Sequence, residues 1–172
     1  MRCLGGPGLV DEFALSARLL LLLAVANAAP ILAKRFLGSR WSTPLDGGAR
    51  FFDGRRLLGP TKTLRGVVAA VLATAIAAAM LGMPGALGAL IGVAAMGGDA
   101  LSSFLKRRLG VPPSGKATGL DQVPEALLPL LAVRGYLGLS PLEIGGITLA
   151  FFLLEIPVAK LCYRLGIRDT PH

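Results

Sequence analysis

Asp99, Ser103 and Lys106 most need a chemical explanation. They fall in the run Gly97-Gly98-Asp99-Ala100-Leu101-Ser102-Ser103-Phe104-Leu105-Lys106-Arg107-Arg108. Their spacing of i, i+4 and i+7 puts them on one face of a helix. The run closes an apolar stretch, so Asp99 lies one to two turns below a membrane surface, about 8–10 Å deep. A carboxylate at that depth costs about 3 kcal/mol unless it is paired or hydrated. Gly97 and Gly98 allow a neighbouring backbone to approach just before it. Two readings compete: a metal-binding or catalytic carboxylate at the floor of a polar cavity, and an aspartate neutralised by Lys106 or Arg134.

Other polar groups collect nearby in the chain. In Gly59-Pro60-Thr61-Lys62-Thr63-Leu64-Arg65-Gly66, Thr61 or Thr63 can cap the helix that follows. Backbone N–H groups, Lys62 and Arg65 then converge on a helix N-terminus, a natural anion site. The order is not that of a P-loop, and cations snorkelling to the interface are the alternative. In Gly119-Leu120-Asp121-Gln122-Val123-Pro124-Glu125, Asp121 is either an N-cap or a ligand, with Pro124 and Glu125 in the first turn. Asp46 and Asp53 stand in glycine-containing segments that read as turns. Asn27 reads as an interhelical hydrogen-bonding residue, and Arg134 with Glu155 as a buried ion pair between hairpin partners. His172 is the sole histidine, and Cys3 and Cys162 stand at opposite ends. That argues against a zinc site, a disulfide scaffold and nucleophile–base catalysis. Carboxylates, lysines, arginines and glycine-rich turns remain, which are the parts for Mg²⁺ and phosphates.

The elements that must position these groups are membrane helices. Apolar residues make up 53% of the 172 and charged residues only 16%, yet the net charge is +8. Such a chain segregates its greasy and basic parts. The expected class is an all-α integral membrane protein: one membrane domain over residues 1–172, with about five transmembrane helices. The spans are placed near 14–32, 66–83, 86–105, 123–139 and 142–162, the fourth being short and bearing Glu125 and Arg134. The first is too long, and its basic cluster too late, for a cleavable signal peptide. Loops at about 34–65 and 106–122 should form the polar cavity. Lys34, Arg35, Arg40, Arg50, Arg55, Arg56, Lys62 and Arg65 lie between the first two spans. Lys106, Arg107, Arg108 and Lys116 follow the third, and Lys160, Arg164 and Arg168 end the chain. With five spans these fifteen of the 18 basic residues share one side, which the positive-inside rule makes cytoplasmic.

These residues also carry a resemblance. Gly98-Asp99-x-x-x-Ser103-x-x-Lys106-Arg107, followed by Leu120-Asp121-Gln122, resembles the signature of membrane CTP:phosphatidate cytidylyltransferases. The nearer match is the archaeal CDP-archaeol synthase family. It is similar through Asn27-x-x-Pro30, Pro44-x-Asp46-Gly47-Gly48, Asp53-Gly54 and Gly59-x-x-Lys62-Thr63-x-Arg65-Gly66, in matching order from Asn27 to the fifth span. The resemblance implies transfer of CMP from CTP to a lipid phosphate, with Mg²⁺ as cofactor and pyrophosphate released. It implies Asp99 and Asp121 as metal-binding, catalytic carboxylates and Lys106 as a catalytic cation. Lys62, Thr63 and Arg65 would meet the triphosphate, and Ser103, Lys106 and Arg107 the nucleotide and lipid phosphates. Asn27, Asp46 and Asp53 would line or brace the pocket. The chain departs from the phosphatidate enzymes at Val111-Pro112-Pro113-Ser114-Gly115-Lys116 and at Pro124, where a second acid usually stands. That points to the archaeol-type branch and leaves one or two metal ions open. CTP, a lipid phosphate and the bilayer are the expected partners, nucleic acid is not, and a homodimer stays open. The rival is a small transporter or scaffold without catalytic activity. It would carry polar residues through to both faces.

Overall fold

A computed structural model describes residues 9–111 and 119–164. Cys3, Lys116, Arg168 and His172 lie outside the described residues, as do the side chains of Lys160 and Cys162. The described residues form five helices: α1 (Leu9–Leu37), α2 (Leu64–Met80), α3 (Gly85–Arg108), α4 (Gln122–Leu137) and α5 (Pro141–Arg164). Among the described residues there is no strand; the first loop holds two isolated bridges, Pro44 to Thr63 and Arg50 to Arg56. The protein is an all-α integral membrane protein. Three helical segments, Val10–Leu37, Gly85–Arg108 and Pro141–Ala159, are long and apolar enough to cross a bilayer. The 17 residues of α2 rise about 26 Å, close to the hydrocarbon thickness.

Local chemistry sets the helix ends. Thr63, with extended φ −120° and ψ 149°, caps α2 by accepting the Gly66 N–H. Gly138 ends α4 in the left-handed region at φ +70°, its N–H donating to the Arg134 carbonyl at 2.8 Å. Ser140 and Glu143 then exchange backbone-to-side-chain hydrogen bonds of 2.8 and 3.2 Å, a capping box that starts α5.

α3 is the central helix, packed on α1, α2 and α4. Its glycines make this crowding feasible. A Cβ at Gly88 would sit 2.6 Å from the Ala78 Cβ, and one at Gly92 would sit 2.9 Å from the Val71 Cα. Without a hydrophobic drive between helices in lipid, such close backbone approach is what holds them together. Leu19, Leu22 and Leu23 of α1 meet Ile91, Leu130, Val133, Ile147 and Phe151 in the main core. A second cluster of Ala26, Ala70, Ala95 and Met96 closes the bundle nearer the loops. Leu72, Ile76, Met80, Val93 and Leu153 stay exposed, as befits a lipid-facing surface.

The expected Arg134–Glu155 ion pair is not formed. Arg134 is exposed in the last turn of α4, and its Nε donates to the Leu139 carbonyl at 3.3 Å. Glu155 lies about 21 Å along α5 from its start, within electrostatic range of Glu125. Hairpin partners run antiparallel, so these two residues sit at different depths.

Candidate functional site

The charged residues gather where α3 ends, α4 begins and the first loop folds over them. Lys62 reaches from the loop and forms a close ion pair with Asp99 Oδ1. Lys106, one face along α3, puts its Nζ 2.7 Å from Asp121 Oδ1. Lys106, Arg107 and Ser103 are buried, and Arg107 feels the Asp121 charge. Ser102, which sequence reasoning passed over, donates to the Asp99 carbonyl at 2.9 Å.

Glu125 completes the arrangement. It is buried on the first turn of α4, within hydrogen-bonding reach of the Asp99 carboxyl and close to Glu155 and Lys62. Gly98 makes this possible: a Cβ there would lie 2.8 Å from the Glu125 backbone nitrogen and closer still to the Pro124 carbonyl. The α4 N-terminus therefore rests directly on α3. The sequence reading left Glu125 as an ordinary first-turn residue and gave Glu155 the wrong partner. The cost of a carboxylate in the membrane, already applied to Asp99, was the signal that could have found both.

The structure gives each remaining expected residue but Asn27 a definite set of partners. Asp121 does not cap α4: its own backbone is helical and its side chain makes no cap hydrogen bond. The Gly119 N–H bonds the Gln122 side chain at 2.8 Å instead, leaving the Asp121 carboxylate for Lys106. Arg65 turns away from the site, donating to the Gly38 carbonyl at 2.8 Å and to that of Arg40, so it ties the end of α1 to the start of α2. Asn27 makes no interhelical hydrogen bond; its Nδ2 is buried without an acceptor. Asp46 accepts the N–H groups of Gly48, Leu58 and Gly59 at 3.0–3.1 Å. Burial pushes its pKa up, but those backbone donors, with Arg56, outweigh this and hold it below the usual carboxylate value.

Asp53 belongs to a latch between the first loop and α3. It accepts the Arg55 N–H at 3.0 Å and pairs with Arg108. Arg55 Nη1 donates to the carbonyls of Arg107 and Arg108 at 3.1 and 3.2 Å, satisfying the end of α3. Arg108 Nη2 donates back to the Arg56 carbonyl at 2.8 Å, and the guanidinium lies 4.7 and 5.1 Å from the ring centres of Phe51 and Phe104.

Comparison with known proteins fits this geometry. The family model described as CarS-like, CDP-archaeol synthase, matches residues 14–172. The chain belongs to this family. Named CDP-archaeol synthases similar to it include that of Aeropyrum pernix, 33% identical with 94% of each chain covered. That of Thermofilum pendens is 32% identical, covering 86% of this chain and 75% of the relative. A solved structure of an intramembrane enzyme for archaeal membrane lipid biosynthesis superposes with a TM-score of 0.71 at 32% identity, over 82% of this chain and 90% of that one. Membership of the CDP-archaeol synthase family makes the chain a membrane transferase of lipid biosynthesis, and a transporter or inert scaffold is set aside.

Hard oxygen donors define what the site can hold. Among the described residues no group of three or more His, Cys, Asp or Glu converges as a ready-made cation cage. Asp99 and Glu125 are joined by a side-chain hydrogen bond all the same. Mg²⁺ commonly takes one or two carboxylates and completes its shell with substrate phosphates and water, so this donor set suits it.

Proposed function

We propose that the chain transfers CMP from CTP to the phosphate of an isoprenoid membrane lipid, yielding a CDP-activated lipid and pyrophosphate. The observation that carries this reading is the pair of lysine–aspartate bridges, Lys62–Asp99 and Lys106–Asp121, at one end of the bundle. The naming of the relatives supports the nucleotide and the lipid.

Each bridge parks a cation that a phosphate can recruit. When CTP enters, Lys62 moves its charge from Asp99 to the triphosphate, and Asp99 is released to act beside Glu125. Bound Mg²⁺, held by Asp99 and by Asp121 or Glu125, would neutralise triphosphate charge. Lys106 and the buried Arg107 orient the lipid phosphate from the α3 side. One of its ionised oxygens attacks the α-phosphorus of CTP. An O–Pα bond forms, the Pα–O bond to the β-phosphate breaks, and pyrophosphate leaves with the electron pair. No strong general base is needed, because the attacking oxygen is already ionised at neutral pH. Positioning and charge neutralisation supply the catalysis.

The loop end of the bundle faces the cytoplasm in this reading. It holds most of the basic residues, and CTP is supplied there. Purified protein in lipid nanodiscs, given radiolabelled CTP, Mg²⁺ and an isoprenoid lipid phosphate, should form labelled CDP-lipid with equimolar pyrophosphate. Asp99→Asn should abolish this while the protein remains folded. Near wild-type turnover in that variant would remove Asp99 from the mechanism.

A further inference from the structure

The turn that leaves α1 presents aromatic and cationic side chains outward. Phe36 is 81% exposed and Trp41 78%. Lys34 and Arg35 in the last turn of α1, and Arg40 just beyond it, are exposed too. Residues 34–45 include no acidic residue. The backbone beneath these groups is firmly held. The Arg40 N–H donates to the Leu37 carbonyl at 2.9 Å, Ser42 Oγ donates to the Ser39 carbonyl at 2.9 Å, and Arg65 holds the carbonyls of Gly38 and Arg40. Among the described residues Trp41 is the only non-glycine with positive φ, at 52°. A bulky residue is strained there, where glycine would not be. The depth of the turn follows from a hydrogen bond. The Leu64 N–H, at the start of α2, donates to the Thr43 carbonyl at 3.1 Å. Trp41, two residues away, therefore lies level with the end of a helix whose length matches the hydrocarbon. That level is the head-group layer, where tryptophan rings and snorkelling cations settle.

We propose that this α1–α2 shoulder docks on anionic lipid head groups and thereby braces Lys62. Two observations choose the occupant. Three cations without an acidic neighbour select negative charge. Exposed rings at head-group depth select the bilayer over a soluble partner. The brace is a short ladder. The Leu45 N–H donates to the Lys62 carbonyl at 2.7 Å, and Pro44 bridges Thr63. Whatever fixes residues 41–45 against the bilayer also fixes the backbone of the lysine that pairs with Asp99. The lipid contact stands apart from the CMP-transfer reading; its effect on CTP binding rests on that reading.

Trp41 is the sole tryptophan, so its emission reports on the shoulder directly. The test uses the full-length protein in phosphatidylcholine nanodiscs with a rising fraction of phosphatidylglycerol, their chains brominated at stated depths. Bromines near the head-group end should quench Trp41 more than bromines near the chain end, and quenching should grow with phosphatidylglycerol. Arg40→Gln should raise the half-saturating phosphatidylglycerol fraction about fivefold, the worth of one basic residue at an anionic surface. No quenching, equal quenching in neutral and anionic discs, or the same gain on adding inorganic phosphate to neutral discs would overturn the docking. The brace is read from KM for CTP at saturating lipid phosphate. It should fall about fivefold as phosphatidylglycerol rises. An anionic surface alone repels CTP and would raise it. Trp41→Gly removes the ring and relieves the backbone, so it should stay folded and lose the fall, as should Arg40→Gln. Tyr136→Ala, at an exposed aromatic in the last turn of α4, should keep it. A KM that rises in wild type, or falls equally in Trp41→Gly, would overturn the brace. Phosphatidylglycerol-dependent quenching without any CMP transfer by wild type would overturn the CMP-transfer reading and support the docking.

Discussion

Gly97 and Gly98 are adjacent in sequence and opposite in consequence, which permits a matched experiment. A methyl added at Gly98 points at the first turn of α4, 2.8 Å from the Glu125 nitrogen, while one at Gly97 meets nothing within 4 Å. Ordinary carbon contacts lie near 3.5–4.0 Å, so Gly98→Ala must push α4 away by about 1 Å. Forced overpacking of this kind costs about 1–3 kcal/mol. At about 2–4 °C per kcal/mol for a chain of this size, melting should fall by about 2–12 °C. The displaced turn carries Glu125, so its carboxyl moves off Asp99 by a similar distance. A misplacement of about 1 Å costs about 100-fold in rate where catalysis is positional. Gly97→Ala should do the reverse, since replacing a helix-interior glycine with alanine stabilises by about 0.5–1 kcal/mol. Thermal unfolding and CMP transfer, measured on both variants in nanodiscs, check this. If Gly98→Ala melts and turns over like wild type, or Gly97→Ala is equally impaired, the close α3–α4 contact is not what positions Glu125.

Lys62→Ala should weaken CTP binding more than lipid binding, most strongly at low salt; equal effects on both would show a packing role instead. Arg65→Ala should affect both substrates alike and lower stability by about 1.5–3 kcal/mol, because its guanidinium holds two backbone carbonyls at the end of α1, and a CTP-selective defect would contradict this. Asp121→Asn should cut transfer by at least about 100-fold with melting nearly unchanged, since a partly exposed ion pair contributes about 0–1 kcal/mol; full activity would leave Asp121 without a role. Because the Asp46 value is lowered in the folded chain, its stabilisation is complete above about 3.8 and lost as pH falls through the folded value. Pepsin cleavage of the first loop, compared at each pH between the two proteins, should be slower in wild type than in Asp46→Asn at the upper end of that range and converge as pH falls; a ratio that does not change with pH would refute it. In intact cells lacking Cys3 and Cys162, a membrane-impermeant thiol reagent should label Ser140→Cys and spare Ser39→Cys, and the opposite pattern would invert the topology.

The all-helical membrane class was legible because apolar runs and glycine or proline turns are local signals. Charge crowding at one end was legible for the same reason. Thr63 was rightly offered as a cap, since its neighbours in sequence are its neighbours in space. Partners were harder to read. The sequence offers Asp99 two partners, Lys106, which shares its helix face, and Arg134. The structure pairs it with Lys62, delivered by a loop whose path no periodicity describes. Arg65 lies three residues from Lys62 and invited a shared role, yet the helix start between them sends the two side chains in different directions. Glu125 has a sufficient local explanation in the first turn of α4, and Glu155 has a nominal hairpin neighbour in Arg134, but sequence order does not say how deep along each helix a residue lies.

The Arg55–Arg108 latch also bears on how the protein is made. Its hydrogen bonds join residues 52 and 53 positions apart in sequence, and contacts of such separation form late. The first loop leaves the ribosome before α3 exists, and the carbonyls that anchor it are the last of that helix. The loop therefore has no resting place until α3 has been synthesised and inserted. The Lys62–Asp99 bridge is bound by the same order, because Asp99 also lies on α3. Glu125 arrives later still, on α4. A chain interrupted after α2 would carry a loop rich in cations whose latch has nothing to close on, exposed to proteases at the membrane surface. Biogenesis thus supplies a quality check, since the loop half of the site forms only on a chain that has already threaded its central helix.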